Sequence, residues 1–201
     1  MNHIWGLLTH PRQEIHDIKQ QNESIFHHYT HHVLLIAGIP IICALIGTTQ
    51  LGWNFGNEKY IKINLLTSIS LGIILYLMLL AAVAIMGQII YIMVNDCTNN
   101  NKLGLKQCII FSGYVTTPLF ISGIIALYPL VSLYLLVNMI SLAYTGYLLY
   151  IGIPIFFTID YNKKLRLFSS ILAIGILAFE VLLALIIMLW SYGPSYFFNN
   201  N

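Results

Sequence analysis

Two groups of side chains in this sequence have types and spacings suited to chemistry. Four of its seven histidines fall in the block His27-His28-Tyr29-Thr30-His31-His32. On a helix His27 and His31 share one face and His28 and His32 the next, and an i, i+4 imidazole pair is half a site for zinc, copper or nickel. Glu23, one turn earlier, could add a carboxylate. Each face offers only two imidazoles, however, and histidine also suits a half-wet headgroup interface, where it titrates near neutral pH. An interfacial His belt is the plainer reading of the block and metal binding the sharper one. The second group centres on Glu180, the one acidic or basic side chain in the middle of a long apolar stretch. A carboxyl at membrane depth must be neutral, paired or hydrated, which makes it a functional candidate. Tyr114, Thr116, Thr117 and Pro118, within Gly113-Tyr114-Val115-Thr116-Thr117-Pro118, interrupt another apolar run with hydroxyls and a missing N–H. Together these residues form a candidate intramembrane polar site. Glu180 either holds helices together through Thr116, Thr117, Asn138, Tyr144 or Gln88, or takes part in moving a proton or ion. Breaks at Gly38-Ile39-Pro40 and Gly152-Ile153-Pro154 fit packing kinks.

Catalysis has no comparable support. There is no HExxH, no GxSxG, no phosphate-binding loop and no pair of intramembrane aspartates, so neither enzyme activity nor a cofactor is expected.

The elements that must position these residues are membrane helices. With 58% hydrophobic and 8% charged residues over 201, and a mean hydropathy of +0.80, the chain is too apolar for a water-soluble globule. The net charge of +2 comes with no basic stripe, which excludes a nucleic-acid partner. Cys43, Cys97 and Cys108 are odd in number and lie in apolar runs or a short loop, so no disulfide framework is expected. The start, Met1 to His10, lacks a basic n-region, and a cleavable signal peptide is not expected.

The charge-free runs count the spans. The 33 uncharged residues between Lys62 and Asp96 make one helix, and the 53 between Lys106 and Asp160 make two, divided near Tyr128-Pro129. With one run before Trp53 and one after Arg166, an all-α protein of five spans is predicted, at about 33–53, 65–94, 107–128, 129–155 and 168–190. The membrane domain is then 33–192, and 193–201 a short polar tail. A four-span alternative would make the first run re-entrant at Pro40. Placing the N-terminus in the cytoplasm puts seven Lys and Arg inside and only Lys59 and Lys62 outside, with the C-terminus on the opposite face. Residues 1–32 read as a cytoplasmic interfacial segment, an apolar patch at Ile4 to Leu8 followed by a helix from Pro11 whose thin apolar side is Ile15, Ile18 and Ile25.

The Gly113-Tyr114-Val115-Thr116-Thr117-Pro118 segment resembles the Gly-Tyr-x-x-x-Pro signature of the Yip domain family, whose members have five spans and a cytosolic N-terminus. Further stretches resemble its bacterial inner-membrane members, among them the His27 to Leu35 block, Gly52-Trp53-Asn54-Phe55-Gly56 and Tyr144-Thr145-Gly146-Tyr147. The resemblance implies a multi-pass protein of the bacterial inner (plasma) membrane. Eukaryotic relatives bind prenylated Rab-type GTPases, but this chain lacks their acidic Asp-Leu-Tyr-Gly-Pro motif, and Rab binding is not transferred. The resulting expectation is a non-enzymatic membrane scaffold whose partners are the lipid bilayer and either other membrane proteins or further copies of itself. The alternatives are a small ion, proton or solute transporter or channel using Glu180 and the kinked third span, and a metal-linked regulator using the His block.

Overall fold

Apolar residues surround most of this chain's helices on all sides, and with no water in a bilayer core their backbone groups must be satisfied within each helix. The structure, a computed structural model, describes residues 6–7, 9–20, 29–54, 60–62, 64–97, 104–128, 130–157 and 161–198. Helix α1 (Pro11–Gln20) starts on a proline, with Glu14 in its first turn and Lys19 in its last, charges placed to suit the helix dipole. The first long helix enters through a wide turn at Tyr29–Val33, continues as α2 (Leu34–Ile46) and leaves through a second wide turn at Gly47–Leu51. At that exit the Thr48 and Thr49 hydroxyls donate to the carbonyls of Ala44 (2.8 Å) and Leu45 (2.7 Å). Strands β1 (Trp53–Asn54) and β2 (Tyr60–Ile61) pair antiparallel across the following loop. Then come α3 (Leu65–Cys97), α4 (Leu105–Val115), α5 (Thr117–Ser122) with a tight turn at Gly123–Leu127, α6 (Val131–Phe157) and α7 (Tyr161–Phe198).

Among the described residues five helices are long and apolar enough to cross a membrane: His31–Leu51, Leu65–Asp96, Leu105–Leu127, Val131–Phe157 and Lys163–Leu182. The predicted all-α architecture with five spans is therefore present. The helix through Pro40 is continuous, so the re-entrant alternative is set aside.

The third span, α4 and α5, is the centre of the bundle. α4 packs on α3, and α5 packs on α2 and α6, while α7 closes the bundle against α3 and α6. One core cluster gathers Phe111, Leu148, Ile153, Phe156 and Leu167 near the ends of the helices that carry most of the basic residues. A second joins Val33, Ile36, Ala37, Val83 and Phe120. Between the first and third spans the backbones touch closely: a Cβ on Gly123 would sit 2.7 Å from the Pro40 Cα, so only glycine fits there.

The N-terminal segment packs its apolar side onto the bundle itself. Leu7, Ile15 and Ile18 are all buried, within the same cluster as Phe111. The Tyr144 hydroxyl donates to the Leu7 carbonyl (2.9 Å), and Lys19 Nζ donates to the Ile155 carbonyl (2.9 Å). The chain from Leu7 to Lys19 thus runs alongside α6 in the same direction. Tyr144 lies halfway along α6, so Leu7 reaches well into the bundle. The thin apolar side is turned onto protein because Phe111, Leu148 and Phe156 offer it a closer-packed surface than headgroups would. Ile4, Trp5, Leu8 and Ile25 lie outside the described residues.

Candidate functional site

The break in the third span follows from Pro118. Its ring and missing N–H disrupt the helix one turn back, and Thr116 (φ −82°, ψ −6°) ends α4 while α5 restarts with the proline in its first turn, where no N–H is needed. Local hydroxyls satisfy the carbonyls this leaves. Thr116 Oγ1 donates to Ser112 O (2.9 Å) and Gly113 O (3.2 Å), and Thr117 Oγ1 to Gly113 O (3.2 Å). Onto this break comes His32. Its Nε2 lies 3.0 Å from Thr117 Oγ1, and its ring centroid 4.4 Å from that of Tyr114. With the Thr117 proton directed at Gly113 O, the hydroxyl presents a lone pair to His32, whose Nε2 then carries the hydrogen. Tyr114 and Thr117 are 4% and 1% exposed, so this is a protein-enclosed polar junction.

Neighbouring helices are tied to the same break. Ser112 Oγ donates to Val83 O on α3 (3.0 Å), and Ser141 Oγ on α6 to Pro118 O (3.2 Å). Ser122 Oγ donates to Asn138 Oδ1 (3.2 Å), while Asn138 Nδ2 donates to Tyr134 O (2.8 Å). At the entrance of the first span the Tyr29 hydroxyl donates to Leu80 O (3.1 Å), and burial pushes that phenol above its ordinary value. Every hydroxyl in this set ends on a backbone carbonyl or an amide oxygen, an arrangement that fixes helix positions.

The chain matches the Yip1 domain over residues 5–182. It belongs to the Yip1-domain family. It is 52% identical to the inner membrane protein YohC of Escherichia coli (strain K12) over 193 residues, 96% of this chain and 98% of that protein. The same identity and coverage hold for the inner membrane protein YohC of Escherichia coli O6:H1 (strain CFT073). No solved structure matches the chain. Family, relatives and five membrane-length helices agree on a multi-pass protein of the bacterial inner membrane.

Within this Yip1 domain the structure brings together some of the sequence candidates and separates others. Tyr114, Thr117, Pro118 and His32 meet, and Thr116 supports them. His31 is exposed. His27 and His28 lie outside the described residues, and among the described residues no three His, Cys, Asp or Glu side chains converge as a metal site would require. Glu180 stands apart from the polar junction. It is exposed on α7, nine residues beyond the buried Ile171 and therefore about two and a half turns on, on the opposite face. Its expected helix-bridging partners are engaged elsewhere: Thr116 and Thr117 on carbonyls of α4, Asn138 on Tyr134 and Tyr144 on Leu7, while Gln88 is exposed.

Sequence reasoning missed the residues that receive the N-terminal segment. Gly152 is the clearest, since a Cβ there would sit 2.6 Å from the Phe111 ring and 3.4 Å from Ile15. Phe111 packs with Phe156 and Phe157, both at centroid separations of 5.1 Å. Aromatic residues beside glycines in Phe111-Ser112-Gly113 and Gly152 to Phe157 were the available signal. A small void of about 10 Å³ remains among Leu7, Ile15, Ile18, Phe111, Tyr114 and Leu148.

Proposed function

We propose that this protein is a non-enzymatic scaffold of the inner membrane, a closed helical platform that holds its own N-terminal segment and presents that segment's polar face to partners. The observation that carries this reading is the filling of the bundle by Leu7, Ile15 and Ile18. The void beside them, about 10 Å³ with an almost wholly apolar lining, is at the threshold for a single water. Residues on the outer side of α1, among them Arg12, His16 and Asp17, are exposed and supply a charged contact surface. In the orientation set by the basic residues, that surface is cytoplasmic.

The test is proton and cation flux into liposomes containing the wild type or Glu180→Gln, side by side. Leakage equal to empty liposomes is expected for both. Flux in the wild type that disappears in Glu180→Gln would replace the scaffold with a transporter using that carboxyl. A metal-linked reading keeps the His block: with His32 Nε2 engaged by Thr117, His27 and His31 are the remaining i, i+4 pair. Zinc retained by the purified protein and lost in the His27→Ala, His31→Ala double variant is the result that reading requires.

A further inference from the structure

Glu180 presents a physical problem that the described part of the bundle does not solve internally. It lies 14 residues beyond Arg166, about 21 Å along the helix, and so well inside a hydrocarbon core about 30 Å thick. Its own bundle leaves it exposed, on the face of α7 away from Ile171 and Leu167. Carboxyls at such depth face protein or a water-filled cavity, because hydrocarbon supplies no hydrogen-bond partner. Something else therefore covers this face.

We infer that the covering surface is α7 of a second copy of this chain, with the two Glu180 side chains hydrogen-bonded to each other. Three features favour this occupant. First, all nine Lys and Arg lie in the end segments, so this chain offers no cation at the depth of Glu180. Second, a neutral carboxyl is at once donor and acceptor and so complements itself. A two-fold axis along the membrane normal places the same residue of both copies at the same depth and makes one patch meet its identical counterpart. Third, Ala173, Leu177, Glu180 and Ala184 are all exposed and follow one another at intervals of four, three and four residues. That is the seam of a left-handed helix pair, and its two alanines let the backbones approach. Leu177 and Val181, 59% and 58% exposed, supply apolar area beside the carboxyl.

The experiment uses the full-length protein in liposomes, diluted in lipid over several decades, with the dimer fraction counted by single-molecule photobleaching. The wild type is expected to dimerise. Glu180→Gln, whose amide is likewise donor and acceptor, keeps the dimer, whereas Glu180→Leu weakens it roughly tenfold. In a background with Cys43, Cys97 and Cys108 replaced by Ala, Leu177→Cys is expected to crosslink between copies, and Ile85→Cys, also exposed on α3, is not. A wild type that stays monomeric at every dilution overturns the proposal. So does a Glu180→Leu variant that dimerises like the wild type, or crosslinking at Leu177 no stronger than at Ile85. Leu177→Cys joined in native membranes to a different protein would assign the face to that protein instead. Leucine at a lipid-facing position does not burden the fold, so an unchanged melting curve separates loss of association from loss of structure.

Discussion

The third and fifth spans are both long and apolar, yet the structure uses them in opposite ways. In the most apolar stretch of Leu105–Leu127, 72% of residues are buried, against 11% for Lys163–Leu182. The third span is interrupted, rich in hydroxyls and touched by α2, α3 and α6; the fifth is unbroken and meets its neighbours along one side. Hydrophobicity cannot make this distinction, because lipid tails are as apolar as leucine. Small residues and hydroxyls can: Ser112, Gly113, Thr116, Thr117, Ser122 and Gly123 crowd into the third span, where close approach and local hydrogen bonds are what a central helix needs.

Given that difference, a side chain added at the centre should matter far more than one at the rim. Gly123→Leu forces a side chain into Pro40, where backbone must move, and should cost upward of about 3 kcal/mol. Loss of monodisperse protein on size-exclusion chromatography is the expected readout. Ala81→Leu, exposed on α3, should behave like the wild type. A Gly123→Leu protein that purifies normally would mean that α2 and the turn after α5 are not in close contact.

Truncation gives the same contrast at somewhat smaller amplitude. Phe111→Ala empties the space where α4, α6 and the N-terminal segment converge, and about 3–5 kcal/mol is expected from a detergent unfolding titration. Ile85→Ala on the exposed face of α3 should stay within about 0.5 kcal/mol. Equal losses from the two would erase the distinction between centre and rim.

The polar junction is a finer test. A double-mutant cycle of His32→Ala and Thr117→Val should return a coupling of about 0.6 kcal/mol, the usual size for interhelical hydrogen bonds in membranes, and no more than about 1.7. Zero coupling would detach the His block from the third span. Tyr144→Phe, which removes the donor to the Leu7 carbonyl, should cost about 1 kcal/mol and quicken proteolysis ahead of α1. Unchanged proteolysis would show that apolar packing alone holds the segment.

How far these relations were legible in the sequence depended on their range. The five spans could be counted because charges break hydropathy along the chain, and Gly113 to Pro118 announced a break by composition. That His32 lands on Thr117 was not visible, since the two are 85 positions apart and no local pattern relates them. The surface that covers the N-terminal segment is hidden for a similar reason: a thin apolar stripe on a short helix looks the same whether lipid or Phe111 covers it. Glu180 stands out by type, but its rotation on α7 does not, because apolar residues lie on both faces of that helix and composition does not say which side is inward.

That rotation makes Glu180→Gln the subtlest prediction and the one that separates the two spans most sharply. Were Glu180 a strut between helices of one bundle, the weaker hydrogen bonds of an amide and the altered donor pattern would disturb a packed core, and a loss of about 1 kcal/mol or more would follow. On the exposed face of α7 the same exchange alters nothing inside the bundle. A change within about 0.5 kcal/mol is therefore expected in a detergent unfolding titration, with the protein dilute enough to be a single copy. Dilution matters, because association adds stability by mass action and would mix the two effects. A large loss in the single copy would turn α7 around, place Glu180 inside, and remove the reason for treating the fifth span as rim.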